Sequence, residues 1–235
     1  MEMNTAIVTG GTGALGRVVA STMMNNGIRV AIPVRPGSRG GPLPQEPENG
    51  TGMLSWGEFD ISDESAASAF VRETAERWGG VAILINCAGG YAGGEEIGKI
   101  SAATFEEMLN ANLRTAFLMC NAVLPLMRAA KRGRIVSFAA MAALSPAPSR
   151  GAYAIAKRGV VTLTETIAEE VKGSGITANA IAPGIILTPS NRASMPSADT
   201  SRWVTPDEIA RLVLFLCSED ARSLSGNVIK MYGGV

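Results

Sequence analysis

In Tyr153-Ala154-Ile155-Ala156-Lys157 a phenol and an amine are separated by three residues, which puts both on one face of a helix, one turn apart. An unperturbed phenol ionises at about pH 10, so near neutrality it exchanges protons well only where a fixed positive charge favours the phenolate. Lys157 is the candidate for that charge. The same spacing also serves a packing ring and a solvated amine on an ordinary amphipathic helix, and only the other elements can decide between the two. The chain contains no histidine, which excludes Ser-His and Cys-His nucleophiles and every histidine-held metal. No metal site is read.

The elements that would position the pair begin near the N-terminus. Thr5 to Thr9 is a β-prone run, Gly10-Gly11-Thr12-Gly13-Ala14-Leu15-Gly16 follows, and a helical pattern runs from Arg17 to Asn26. Strand, glycine turn and helix form a phosphate-binding arrangement, because glycines let the backbone approach a pyrophosphate and the helix N-terminus offers unpaired N–H groups. Gly10, Thr12, Gly13, Leu15 and Gly16 are the candidate contacts, although glycines also serve plain tight turns. Arg17 and Val18 stand where a P-loop needs Lys and Ser or Thr, so a P-loop is excluded.

Ile28 to Val34 reads as a second strand, after which a dinucleotide site usually places an acid for the adenosine ribose. Here Arg35 follows, with Arg39 beyond and no Asp or Glu between Arg29 and Glu46. Either arginine can pair with a 2′-phosphate, which favours NADP(H) over NAD(H); Arg35 can equally solvate a loop or stack on adenine. Residues 36–52 are rich in Gly and Pro without a helical period, and a loop there replaces the expected helix, whether ordered by cofactor or a plain insertion.

Further strands are expected at Met53–Phe59, Val81–Asn86, Arg134–Phe138, Thr177–Ala182 and Gly226–Met231, and long amphipathic helices at Ser101–Met127 and Arg150–Val171. Ser62 is read as the cap of a helix reaching Trp78, and Thr205-Pro206-Asp207-Glu208 as a capping box with Pro at the first helical position. Strands alternating with helices imply a parallel sheet covered on both faces, with ligands at the carboxyl ends of its strands.

Composition narrows the function classes. Lysine plus arginine balances aspartate plus glutamate at 21 each, so no basic stripe recommends a nucleic-acid partner. Ile135 to Leu144 is too short to span a bilayer, and Met1 to Asn4 lead into a strand without a signal peptide. Cys87, Cys120 and Cys217 are odd in number and widely spaced, which fits reduced thiols and a cytoplasmic protein with a small-molecule substrate.

Taken together, these residues resemble the short-chain dehydrogenase/reductase family over nearly the whole chain. Thr9-Gly10-x-x-x-Ala14-x-Gly16 is similar to its cofactor turn, Asp60 to its acid near the adenine, Asn86-Cys87-Ala88-Gly89 to its Asn-x-Ala-Gly element, Tyr153-x-x-x-Lys157 to its active site, and Pro183-Gly184 with Thr188 to its nicotinamide loop. The resemblance implies a single-domain α/β fold over residues 1–235: a Rossmann-like, doubly wound, seven-stranded parallel sheet with helices on both faces. It adds Ile61, Asn86, Ala88, Gly89, Pro183, Gly184, Ile186 and Thr188 to the cofactor contacts. It gives Tyr153 the role of proton donor and Lys157 that of holding the nicotinamide ribose and lowering the phenol's pKa. Asn112 would position a water on the proton path, or simply bond to its own helix. A homodimer or homotetramer is also implied.

One family residue is missing: the serine thirteen positions before the tyrosine is Ala140. A lost donor to a developing oxyanion typically costs about 3 kcal/mol. Ser145, Ser149 or water could replace it, or the substrate could spread its charge over a conjugated system. The second option fits a narrower resemblance to the dihydropteridine reductases, carried by Ala140, by Tyr91 in the loop Ala88–Gly94, and by Asn191 and Met195 in a substrate-covering segment, 188–205. The implied activity is an NADPH-dependent reductase of a carbonyl or conjugated C=N bond, with quinonoid pterin reduction as the alternative. The rival from another class is an NADP(H)-binding sensor without chemistry.

Overall fold

Seven parallel strands appear in the computed structural model, which describes residues 5–38, 41–48, 52–145 and 147–234. They are β1 (Thr5–Thr9), β2 (Arg29–Val34), β3 (Leu54–Glu58), β4 (Ile83–Asn86), β5 (Gly133–Phe138), β6 (Ile176–Pro183) and β7 (Val228–Met231). Across the sheet their order is β3-β2-β1-β4-β5-β6-β7. The chain therefore winds outward twice from β1 and β4, and the order reverses between them, where such sheets bind ligands. Arg39 and Met1 to Asn4, each given a reading above, lie outside the described residues.

Alternation along each strand divides the core. Val8, Ile32, Ile85 and Val136 face α1 (Ala14–Asn25) and a C-terminal helix, whereas Ile7, Ala31, Leu84 and Ile135 face α2 (Glu64–Trp78) and two further helices. Successive strand residues point to opposite faces, so a run apolar at every position is what a sheet buried on both sides requires. In chain order the remaining helices are α3 (Ala102–Leu109), α4 (Thr115–Ala130), the short α5 (Met141–Leu144), α6 (Gly151–Glu170), α7 (Pro189–Ser194) and α8 (Pro206–Cys217). Between α3 and α4, Asn110–Arg114 winds as a π-helical turn. Among the described residues no helix is long and apolar enough to cross a membrane.

Local signals explain the element ends. Thr205 and Glu208 form a reciprocal capping box with Pro206 at the first turn of α8. The cap of α2 is Asp63, whose carboxylate accepts the Ala66 N–H at 2.9 Å, and not Ser62 as expected. Ser62 is taken by Asp60, to which it donates from both backbone and hydroxyl at 3.0 and 2.6 Å. The described residues between β2 and β3 form no helix. That segment folds back over α1: Leu43 packs on the core, and a Cβ on Gly41 would lie 2.8 Å from the Thr12 carbonyl.

At the amino ends of the strands, Arg134 is buried with its side chain 3% exposed. It donates to the carbonyls of Gly133, Gly175 and Ser218 and to Glu219 at 2.9, 3.2, 3.4 and 3.3 Å. This guanidinium ties β5 to the turn before β6 and to the end of α8, on the side opposite the ligand edge. Replacing Arg134 by Ala should lower the unfolding free energy in urea by about 3 kcal/mol, because buried acceptors lose their donor. Glu219→Gln should cost less than about 1 kcal/mol, since Glu219 is 60% exposed.

Candidate active site

At the carboxyl edge of β1, β2 and β4 lies a cleft of about 460 Å³. Of the residues expected there, Gly10, Thr12, Gly13, Arg35, Asp60, Ile61, Ala88 and Gly89 line it. Gly10 has a φ of 66°, and a Cβ on it would stand 2.9 Å from the Ala88 backbone, so two strand ends meet where only glycine fits. Gly16 plays a packing role, because a Cβ there would collide with the Gly10 carbonyl. No side chain caps the first turn of α1, which leaves its N–H groups to an anionic ligand. This uncapped turn, the glycine cradle and the cationic Arg35 fit a dinucleotide. Asp60 is held below the usual carboxylate range by the hydroxyl and N–H of Ser62 and, more weakly, by the charge of Arg35.

Asn86 does not belong to this lining. It shares a strand face with Leu84, and it donates to Ser137 Oγ at 3.1 Å and Cys120 Sγ at 3.4 Å. Its work is to join β4 to β5 and α4. The motif is brought to the cleft instead through Ala88, whose N–H donates to Thr9 Oγ1 at 3.0 Å. Ser38, Phe59, Cys87, Glu107 and Thr115 also line the cleft and were not foreseen. Ser38 follows a turn closed by its own N–H on the Arg35 carbonyl at 3.0 Å, a local signal; Glu107 and Thr115 arrive only through the packing of α3 and α4.

Deeper along the same edge stand Tyr153, Lys157 and Asn112. Lys157 is 6% exposed, and its ammonium donates to the Phe138 carbonyl at 2.8 Å and lies 5.9 Å from the Tyr153 ring centre. Burial pulls its pKa from 10.5 down to about 8, while Cys87 raises it slightly. Asn112 sits in the π turn, donating to Met108 and Gly90 carbonyls at 3.0 and 3.1 Å and accepting the Gly90 N–H at 3.3 Å. It bonds its own helix and also clamps the loop after β4; extra backbone residues of this kind gather at functional sites. A Cβ on Gly89 would lie 2.6 Å from Asn112 Oδ1 and 3.4 Å from Lys157 Nζ, so a bare backbone is what lets these two groups converge.

The lowered phenol pKa is not found. Burial pushes Tyr153 up to about 12, Tyr91 adds to this, and Arg150 opposes it. Lys157 is engaged with Phe138, and the phenol stays protonated at neutral pH, which is the state a proton donor needs.

The family model for short chain dehydrogenases matches residues 4–198. The chain belongs to the short-chain dehydrogenase family. It is 31% identical to 2-(R)-hydroxypropyl-CoM dehydrogenase of Xanthobacter autotrophicus over 97% of this chain and 96% of that one. D-beta-hydroxybutyrate dehydrogenase of Rhizobium meliloti is 28% identical over 98% and 97% of the two chains. Among solved structures, levodione reductase superposes with a TM-score of 0.87 at 29% identity, covering 100% of this chain and 98% of its own. This short-chain dehydrogenase is thus an oxidoreductase that uses a nicotinamide cofactor.

Two features set its site apart. Ala140 is buried at the start of α5, and Ser137 is buried too, placed against Asn86, from whose amide its hydroxyl accepts at 3.1 Å. Tyr91, 63% exposed, meets Tyr153 edge to face at 5.0 Å, and its hydroxyl lies where a Cβ on Gly93 would be. Beyond β6, Gly184 donates to the Met231 carbonyl at 2.8 Å, and Ile186 pairs with Val204, which pins both ends of the segment 188–203. Thr188 caps α7 at the Asn191 N–H. Asn191, expected at the substrate, turns its amide back to the Ile186 carbonyl at 2.8 Å and braces the segment; Met195 ends α7, half-buried.

A lysine whose pKa falls from 10.5 to about 8 on folding weakens the ligand-free fold by about 3 kcal/mol below pH 8. Between pH 8 and 10.5 the unfolded chain binds the extra proton, so stability rises with pH. Compared with Lys157→Met, the wild type should gain stability in urea between about pH 8 and pH 10, a difference that parallel curves for the two proteins would refute.

Proposed function

We propose that the protein is an NADPH-dependent reductase of a carbonyl or conjugated C=N bond, with Tyr153 as proton donor and Lys157 beside it. The observation that carries this reading is the convergence of Asn112 and the buried Lys157 ammonium beside Gly89, which lines the cleft, with a protonated Tyr153 ring 5.9 Å from that ammonium. Gly10, Thr12, Gly13, Leu15 and Gly16 with the first turn of α1 would hold the pyrophosphate, Asp60 and Ile61 the adenine, Ala88 and Gly89 the central ribose, and Pro183, Gly184, Ile186 and Thr188 the carboxamide. The bound nicotinamide supplies or accepts the hydride. Tyr153 gives its proton to the substrate oxygen or nitrogen as the carbon gains hydride, and bulk water restores the proton.

Arg35 supports the NADPH preference, because among the described residues it is the cation lining the cleft after β2, and no acid follows it before Glu46. Homo-oligomers belong to the same reading, supported by Phe117 on α4 and Ile155 on α6, both exposed; so does a cytoplasmic setting, supported by the three free cysteines. The relatives named above act on hydroxy and oxo compounds, which favours a carbonyl substrate. Quinonoid pterin reduction is the second reading, favoured by the exposed Tyr91 ring beside Tyr153.

Tyr153→Phe should abolish turnover with NADPH binding unchanged by fluorescence titration; retained turnover would end the proposal. In the same assay NADPH should bind more tightly than NADH, and Arg35→Ala should erase the difference. Ala140→Ser should raise kcat on unactivated ketones by about tenfold to a hundredfold by restoring a donor to the developing oxyanion, while no gain would mean that another group already fills that place.

A further inference from the structure

Besides Asn112, the π turn Asn110–Arg114 carries a second side chain that reaches across the fold. Arg114 donates from Nε to the Ser62 carbonyl at 2.8 Å, over 52 residues of sequence. Residues two apart on a helical turn do not face each other, so this one turn fastens two different loops. Asn112 holds the loop after β4 through Gly90, and Arg114 holds the loop after β3.

That second loop leads to a side chain of the cleft. Ser62 donates from its N–H and its hydroxyl to Asp60, at 3.0 and 2.6 Å, while its carbonyl accepts from Arg114. The guanidinium is thereby joined to the Asp60 carboxylate through a single residue. Asp60, Ile61 and Ser62 line the cleft, and so do Asn110, Ala111 and Thr115 from the π turn and the start of α4. Arg114 bonds the one group to the other from an exposed position. Only residues 59–63 connect β3 to α2, and a short surface loop of this kind is mobile unless something outside it holds it.

We infer that Arg114 is a positioning residue for the cofactor: acting through Ser62, it holds Asp60 and Ile61 at the spacing from the π turn that the adenosine half of the dinucleotide requires. This rests on the cofactor placement proposed above. A binding loop that already stands in its bound position does not have to be ordered by the ligand, and the affinity is higher for it.

Loss of the bond should therefore appear in affinity for the adenosine half and not in the chemical step. Arg114→Met should weaken NADPH and NADH alike by about threefold to tenfold, the scale of one exposed hydrogen bond, and raise the KM for NADPH with kcat within about twofold. Adenosine and 5′-AMP, titrated in competition with NADPH by its fluorescence, should lose the same factor, because what is lost is a position and not a charge. Arg114→Lys should recover part of the affinity. Arg72→Met, which removes an equal charge from an exposed pair on α2, should leave all four ligands unchanged. A loss confined to the charged ligands, an equal fall in kcat, or unchanged affinities in Arg114→Met would each overturn the inference. If the wild type binds neither adenosine nor NADPH, the cofactor placement fails along with it; if both bind and Arg114→Met binds them as tightly, the inference alone falls.

Discussion

The hydrogen bond from the buried Lys157 ammonium to the Phe138 carbonyl is the contact around which the catalytic end of this protein is shaped. A lone ammonium inside a protein is costly. It persists here because α6 lies across the end of β5 and because Gly89 leaves room beside it. The π turn then brings Asn112 to the same place, where its amide holds both its own helix and the Gly90 backbone. None of these groups would be worth arranging for the stability of the empty protein, since burial alone already pulls the lysine pKa down. The cost is of the kind that functional sites carry and the rest of the fold offsets.

The offset comes from elsewhere in the sheet. Its two faces bury continuous apolar runs, and its amino edge is closed by Arg134, each of whose three guanidinium nitrogens finds a partner. The carboxyl edge is the reverse: glycines without side chains and, at α1, a first turn that no side chain caps. One edge satisfies its polar groups internally and the other leaves backbone N–H groups open to a ligand.

Within that edge, the loss of one hydroxyl changes what the site can recognise. Ala140, buried at the start of α5, offers a methyl group where the resemblance leads one to expect a hydroxyl, and Ser137, three residues earlier, lies against Asn86. The ring that stands against Tyr153 is that of Tyr91, edge to face at 5.0 Å. A ring of this kind can orient a substrate by stacking on a part that does not react, while Tyr153 stays protonated by its own burial.

How much of this was legible depended on distance along the chain. The sequence determined what is local: the strand runs, within one or two residues of the observed ends, the glycine turn into α1, the capping box of Thr205 and Glu208, the absence of a helix after β2, and the pairing of Tyr153 with Lys157. Those follow from periodicity and from turn and cap chemistry, which act over a few residues. Only the tertiary structure decided that Asn86 faces Ser137, 51 residues on, instead of the cleft, that Lys157 reaches back 19 residues to Phe138, and that Asn191 braces Ile186. The same holds for the π turn and for the high pKa of Tyr153, because burial and the choice of hydrogen-bond partner are set by which elements pack together, and a short window of sequence does not contain its neighbours.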